Sequence, residues 1–596
     1  MKRFMALPLS LLLATSLLAA PAPQATSPKK KAASKRAPAS TVTKDITDLK
    51  QALDAQQQQI QQLRQDLQTR DQAIQQLQQR LDQNQTAATD AQSKADAAAA
   101  QAAKQEETVT ALKSDVTDIK QNSASTALTL QETQKNISSL ESPVAIHYKG
   151  ITLTPGGYLS ADTIYRRTAL GSDISTPLSA IPYGGAAANH LSEFFASGRS
   201  SRIAMLAEGK LSNAKLTGYY EADFLAAAIT SNSNSTNSYG LRQRQVWGQA
   251  ALTNGWSFTG GQMWSLVTET KNGVDNRTEA PPQTVDTSYN VGFSFARQYG
   301  FRVAKNFHNK AWLAFAVENA QTTVGGEGSV NNFLIGSAGT SAGAYNPSAT
   351  YSFNKLPDFI AKAVFQPGTL HLEVFGLVST FRDRVYPGAL ATPASAVGAH
   401  NDTGLGKGVG ANARISLDKK RLDLGIHFLG GLGIGRYGTT GLADVFVRAD
   451  GVLVPIRSYQ SLATVEYHAK KFDLYLNGGA EYEGRSGLTG TQGYGLPSRV
   501  ASGCYNETVP GTAVGGQFPT STIGFLPGAL ANCNVDTRDF IEGTAGFWYR
   551  FYKGPKGTIQ WGPQLSYIVR NSWRGVGGEP SGTEPMVYTS FRYYLP

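Results

Sequence analysis

The chain has 596 residues, a net charge of +11 and 41% hydrophobic residues, enough for one large folded unit with further segments. The excess of basic residues does not point to nucleic acid, because the N-terminus reads as an export signal and export removes that partner. The charge is also unevenly placed: residues 1–40 carry +7, residues 41–142 have ten basic against fourteen acidic side chains, and the remainder has 38 against 30.

In the opening MKRFMALPLSLLLATSLLAAPA, Lys2 and Arg3 precede an apolar run from Phe4 to Leu18 and small residues at Ala19, Ala20 and Ala22. Residues 1–22 therefore read as a secretory signal peptide, too short for an ordinary spanning helix. No long apolar run follows, so helical membrane insertion is not expected. Residues 23–41 read as a basic disordered linker rich in Ala, Pro, Ser and Lys. The cluster Lys29, Lys30, Lys31, Lys35 and Arg36 is either a solvated charge run or a contact for an anionic cell-wall polymer such as peptidoglycan.

From Val42 the hydrophobic period becomes seven. With Ile46 at heptad position a, that position runs through Leu53, Ile60, Leu67, Ile74 and Leu81 to Ile137, and position d runs from Val42 and Leu49 to Leu140 without a stutter. Residues 42–141 thus predict a long coiled coil, which at ~1.5 Å per residue would reach roughly 150 Å. One helix cannot bury such a seam, so an oligomer is expected; Gln56, Arg70 and Asn84 at d are candidates for setting its register. Ser142-Pro143 ends the helix.

Residues 145–596 change to period two. In the stretch from Ile203 to Leu211, the residues Ile203, Met205, Ala207, Gly209 and Leu211 form one face, and Arg202, Glu208 and Lys210 lie on the other. Sixteen such runs are predicted, near 151–167, 199–211, 215–229, 240–253, 256–267, 289–305, 311–320, 358–366, 369–382, 409–418, 421–437, 456–469, 472–484, 538–552, 557–572 and 585–595. Short turns such as Asn254-Gly255 alternate with long loops such as 321–357, 383–408 and 485–537. No helix or second sheet is available to cover the apolar faces, so lipid must. The expected fold is an all-β transmembrane barrel of about sixteen antiparallel strands, with short turns on one rim and long loops on the other, preceded by a long periplasmic α-helical coiled coil. Inward residues such as Asp423, His427, Asp473, Asn477, Gln560 and Gln564 are polar, which implies a water-filled interior. Cys504 and Cys533 share one long loop and, in an oxidising compartment, are expected to be bonded.

The segments SRIAMLAEGKL, LTGYYEADF, LRQRQVWGQ and GGQMWSL, between Ser201 and Leu266, resemble the early strands of the DcaP-like trimeric outer-membrane porins and, more distantly, the phosphate-selective porins. The resemblance implies a homotrimer in the outer membrane that admits small, mostly anionic solutes, with the loop after the fifth strand folded inward as a constriction. That loop is Thr268–Ser288, carrying Glu269, Lys271, Asp275, Arg277, Glu279 and Asp286; an ordinary surface loop is the alternative. Two features depart from the group: the chain ends in Leu595-Pro596 rather than an aromatic residue, and Gln243 and Gln245 put polar residues on both faces of one strand, suggesting a subunit-facing or loop-covered wall.

Charged residues within strands are the candidate pore lining: Arg202, Glu208, Glu221, Asp223, Arg242, Arg244, Arg382, Arg414, Arg457, Arg550 and Arg570. Arginine stays charged and grips a carboxylate or phosphate with two parallel hydrogen bonds, and rings of it bias a pore toward anions. The competing arrangement pairs these arginines with acids on neighbouring strands, so that they only fill the wall. An enzyme is not expected. There is no G-x-S-x-G, no metal-type His or Cys spacing and no cofactor motif, and His371, His427 and His468 each stand alone as prospective pore lining. A second role remains open in which the coiled coil and the basic linker tether the outer membrane to the cell wall.

Overall fold

The structure, a computed structural model, describes residues 120, 123, 145–226, 240–326, 332–334, 351–490, 492–508 and 530–596. The expected signal peptide, basic linker and nearly all of the expected coiled coil lie outside the described residues.

Period-two sequence becomes a closed antiparallel barrel of sixteen strands. In chain order these are β1 (Ile151–Arg166), β2 in two segments (Glu193–Ser197 and Arg202–Lys210), β3 (Ala214–Ala226), β4 (Gly240–Leu252), β5 (Trp256–Trp264), β6 (Arg297–Phe307), β7 (Ala311–Glu318) and β8 (Asp358–Phe365). Then follow β9 (Leu370–Val385), β10 (His400–Leu417), β11 (Leu422–Leu432), β12 (Arg457–His468), β13 (Phe472–Glu483), β14 (Thr537–Gly554), β15 (Gly557–Ser572) and β16 (Ser581–Tyr594). Both segments of β2 pair with β1. The barrel closes where β1 meets β16, from Tyr158 opposite Tyr594 to Arg166 opposite Met586. Closure leaves no edge strand, which a sheet in hydrocarbon cannot tolerate.

The alternation sorts the side chains. Ile203, Leu313, Phe315, Val374, Val409, Leu476, Leu565 and Phe591 are all exposed on the outside. Such a continuous apolar belt is incompatible with water, and each large side chain gains roughly 1.5–3 kcal/mol when an apolar medium covers it. Glu373, Asn412, Thr464, Asn477, Glu542 and Gln564 alternate with this set and are buried inside.

Several strand boundaries differ from the sequence expectation, two of them most. The run expected at 289–305 enters the sheet only at Arg297, because Val291 and Phe293 are buried within the preceding loop. Their alternation marks a face turned to the barrel interior, which period alone cannot tell from a lipid face. Strand β10 starts at His400 rather than near 409, since its polar first half, HNDTGLGKG, still pairs with β9 as far as Val385 opposite His400.

The long loops pack over one rim. Val324–Gly325, Val445–Val447 and Leu453–Pro455 form a small sheet whose Val445, Val447 and Leu453 cluster with Phe381. Cys504 and Cys533 are disulfide-bonded with Cα atoms 4.9 Å apart.

Within this cap Asp444 is fully buried; it accepts hydrogen bonds from Arg436 N at 3.0 Å and Thr323 N at 2.8 Å. Burial pushes its carboxyl up to about 7, against the opposing pull of the Arg436 guanidinium. The folded cap therefore holds a proton that the unfolded chain releases near 3.8, so the cap loses stability as pH rises through that window and no further above it. Limited proteolysis at residues 438–441 should be slower at pH 5 than at pH 8, and D444N should reduce the difference.

Candidate functional site

The loop between β5 and β6, residues 265–296, lies inside the barrel. Its backbone N–H groups are satisfied by carboxylates on widely separated strands: Leu266 by Glu318 at 2.7 Å, Thr270 by Glu373 at 2.9 Å, Val291 by Glu542 at 2.7 Å and Gly292 by Glu481 at 2.8 Å. Asp286 in the loop accepts from Tyr588 OH at 2.6 Å. The acceptors sit on β7, β9, β14 and β13, and the Tyr588 donor on β16, so the loop crosses the interior rather than following one wall. Bonds to charged groups contribute about 1.5–3 kcal/mol each, and a buried N–H left without one costs a similar amount. Two glycines admit this close approach. Gly292 takes a φ of +87°, and a Cβ at Gly479 on the wall would collide with the carbonyl of Val291.

Opposite the loop stands a charged wall on β2, β3 and β4. Arg244 donates from Nε to Glu221 at 2.6 Å and from Nη1 to Asp223 at 2.8 Å. Arg242 grips Asp223 with two bonds, of 2.9 and 2.7 Å, and Arg202 lies 3.6 Å from Glu221. A register shift between β3 and β4 places Glu221 opposite Gln245 and Ala222 opposite Gln243. Arg244 is the extra residue of this bulge, so Arg244 and Gln245 are both buried on the inside and Gln243 faces out. There it donates to Gln262 at 3.0 Å and Tyr299 OH at 2.7 Å. The bulge is thus the physical reason for polar residues on both faces of β4.

Between loop and wall is a cavity of about 490 Å³, lined among others by Arg202, Glu221, Gln283, Asp286, Tyr289 and Arg592. The Arg592 guanidinium lies over the rings of Tyr158 and Trp548, at 4.9 and 4.6 Å, and Arg202 over Tyr158 at 5.2 Å. Aromatic faces hold both cations in place without neutralising them. The Nε of Arg202 is buried without a hydrogen-bond partner.

The other sequence-expected residues are scattered. Arg414 on β10 donates to Glu269 of the inner loop at 2.7 Å. Glu208 pairs with Lys215 at 2.6 Å at the short-turn rim. Arg550, also at that rim, is held by Asp473, and Arg570 donates to the carbonyls of Ser179 and Ile181 at 3.0 and 2.9 Å, under the first long loop. In the inner loop Lys271, Asp275 and Arg277 are exposed, with Arg277 5.1 Å over Tyr219, while Glu279 is bridged to Thr270. Arg382 and Arg457 do not belong with the lumen set. Arg382 shares the outer face of Val374 and Val378, and Arg457 that of Tyr459 and Val465, because strand parity places Phe381, Asp383 and Ser458 inward instead.

Nor are the three strand histidines solitary. Glu373 is a hub on β9 that accepts from Lys362 Nζ at 2.7 Å, His371 Nε2 at 2.8 Å and Thr270 Oγ1 at 2.5 Å, and from Asn412. His427 sits between Ser294 Oγ, at 3.0 Å, and Asn412 Oδ1. A hydroxyl, an imidazole and an amide in line resemble a nucleophilic triad. Ser294 is 1% and His427 3% exposed, so no substrate reaches them; the group ties the inner loop to the wall. His468 lies among Asp423, Glu466 and Asp473. The inward parity of Lys362, His371 and Glu373 was legible in the sequence, but their meeting with a loop a hundred residues away was not.

No protein-family model and no curated protein sequence matches the chain. Among solved structures, it is similar to the outer membrane channel DcaP of Acinetobacter baumannii, at 15% identity and a TM-score of 0.52, covering 76% of this chain and all of that one. OmpT of Vibrio cholerae aligns at 10% identity and a TM-score of 0.40, over 76% of this chain and 100% of its own. The likeness to DcaP, expected from residues 201–266, is one of fold, and it extends over the whole barrel.

Proposed function

We propose that the protein is an outer-membrane channel for passive diffusion of small hydrophilic solutes, with a preference for anions such as organic acids and phosphate-like ions. The observation that carries this reading is the inner loop crossing the barrel opposite a wall in which Arg202, Arg242 and Arg244 outnumber Glu221 and Asp223. Arg592, which has no ion pair among the described residues, adds a further cation beside the cavity, whose lining also holds Asp286 and Asp473. A fixed positive surplus in a narrow aqueous passage lowers the barrier for anions and raises it for cations. The apolar outer belt supports a lipid surrounding on the outside. A homotrimer fits the polar outer patch of Gln243, Gln262 and Tyr299, since lipid offers such groups nothing and a neighbouring subunit can.

Reversal potentials in a salt gradient across a planar bilayer test the selectivity. The wild-type channel should favour chloride over potassium, and R202Q/R592Q should move the reversal potential toward the cation value while conductance stays within about a factor of two. An unchanged reversal potential would remove these arginines from the ion path, and absence of conductance from the wild type would sink the channel reading.

A further inference from the structure

We propose a divalent transition-metal site at the short-turn rim of the barrel, built by Asp423 of β11 with Glu466 and His468 of β12, and oriented by Asp473 of β13. The three prospective ligand atoms lie within 4.8 Å of one another. His468 Nε2 is 3.5 Å from Asp423 Oδ2 and 3.6 Å from Glu466 Oε2. Both separations are too long for a charge-assisted hydrogen bond, which draws N and O to about 2.7–2.9 Å. They match the ligand-to-ligand edge of a tetrahedral ion with bonds of ~2.1 Å, about 3.4 Å.

A second observation is independent of that spacing. Glu466 has a side chain with no exposure, and its Oε2 has no hydrogen-bond partner, nor has Oδ1 of Asp423. A buried carboxylate oxygen that faces an imidazole nitrogen at 3.6 Å calls for a cation between or upon them, either a proton on the ring or a metal ion. The other oxygen of Glu466 accepts from Gln283 N at 3.3 Å, which fixes the carboxylate and connects the cluster to the inner loop.

The imidazole is also held as a metal ligand is held. Its Nδ1 is 3.0 Å from Asp473 Oδ1, and Asp473 lies directly across the ladder from His468. A proton on Nδ1 leaves the Nε2 lone pair directed at Asp423 and Glu466, the carboxylate-histidine support common around metal sites. Asp473 is in turn held by Arg550, one of whose bonds is 3.3 Å. The nearby Arg414 donates from Nε to Glu269, and its charge also acts on Glu466 and Asp423. One nitrogen with two carboxylate oxygens suits Zn²⁺ better than Mg²⁺, which seeks six oxygens.

Titration of the full chain in detergent with Zn²⁺, followed by calorimetry, tests the site without reference to conduction, so its failure and that of the channel reading are separable. One Zn²⁺ per chain should bind in the presence of excess Mg²⁺. H468A and E466Q should each weaken binding at least tenfold, and D473N by about 10–100-fold through loss of the ring support. Co²⁺ added to the unaltered protein should give the visible absorption of a four-coordinate ion, a readout that needs no variant to fold. Absence of saturable binding, displacement of Zn²⁺ by Mg²⁺, or wild-type affinity in H468A would each overturn the proposal.

Discussion

Replacing residues 268–288 with a short Gly-Ser linker is expected to raise single-channel conductance severalfold and to blunt ion preference. The segment holds most of the loop that crosses the interior, and it supplies Gln283, Asp286 and their neighbours to the cavity facing Arg202 and Arg592. Taking it out widens the passage to the bore of the wall itself, where arginine and glutamate face water across a greater distance and are screened within about 8–10 Å. The barrel should still form. Its closure rests on pairing between strands, such as that of β1 with β16, in which the loop takes no part. Bilayer recordings decide the matter: conductance equal to that of the wild type would mean that the loop does not constrict the path.

The largest stability effect is expected at Glu373. Its carboxylate neutralises Lys362, whose side chain is wholly buried, and accepts both Thr270 N and Thr270 Oγ1 from the inner loop. E373A leaves a buried ammonium without a counter-charge, a loss of about 3–5 kcal/mol, and it also frees one end of the loop. Denaturant unfolding in detergent should show a correspondingly lower midpoint. K362M added to E373A should recover part of the loss, because removing both charges ends the desolvation penalty that removing one exposes. If E373A unfolds like the wild type, the pair contributes nothing and the loop is anchored elsewhere.

Neither position follows from residue order alone. Thr268–Ser288 was expected inside the barrel on a family resemblance, not on its own composition, which serves a surface loop equally well. By pattern Glu373 is one more inward acid among HLEVF; its partners Lys362, Asn412 and Thr270 come from two other strands and a loop, and His371 stands two residues away on its own strand. Arg382 and Arg457 are the converse case. Each lies in a strand among apolar residues, yet the parity of its strand turns it outward. A count of basic residues cannot replace that parity. The same limit hid the Asp423, Glu466, His468 and Asp473 cluster, whose members are spread over three strands and follow no metal-binding spacing.

All sixteen strands, the short-turn and long-loop rims and the apolar outer belt were readable from residue order, because strand alternation and turn chemistry are local and act over a few residues. Which charges meet was decided only by the closed barrel and the loop within it. Closure brings β1 to β16, the bulge in β4 turns Arg244 and Gln245 to the same side, and the inner loop draws its hydrogen-bond partners from β7 to β16. Electrostatic pairing depends on distances of a few ångströms across the lumen, and period-two sequence carries no record of what lies on the far wall.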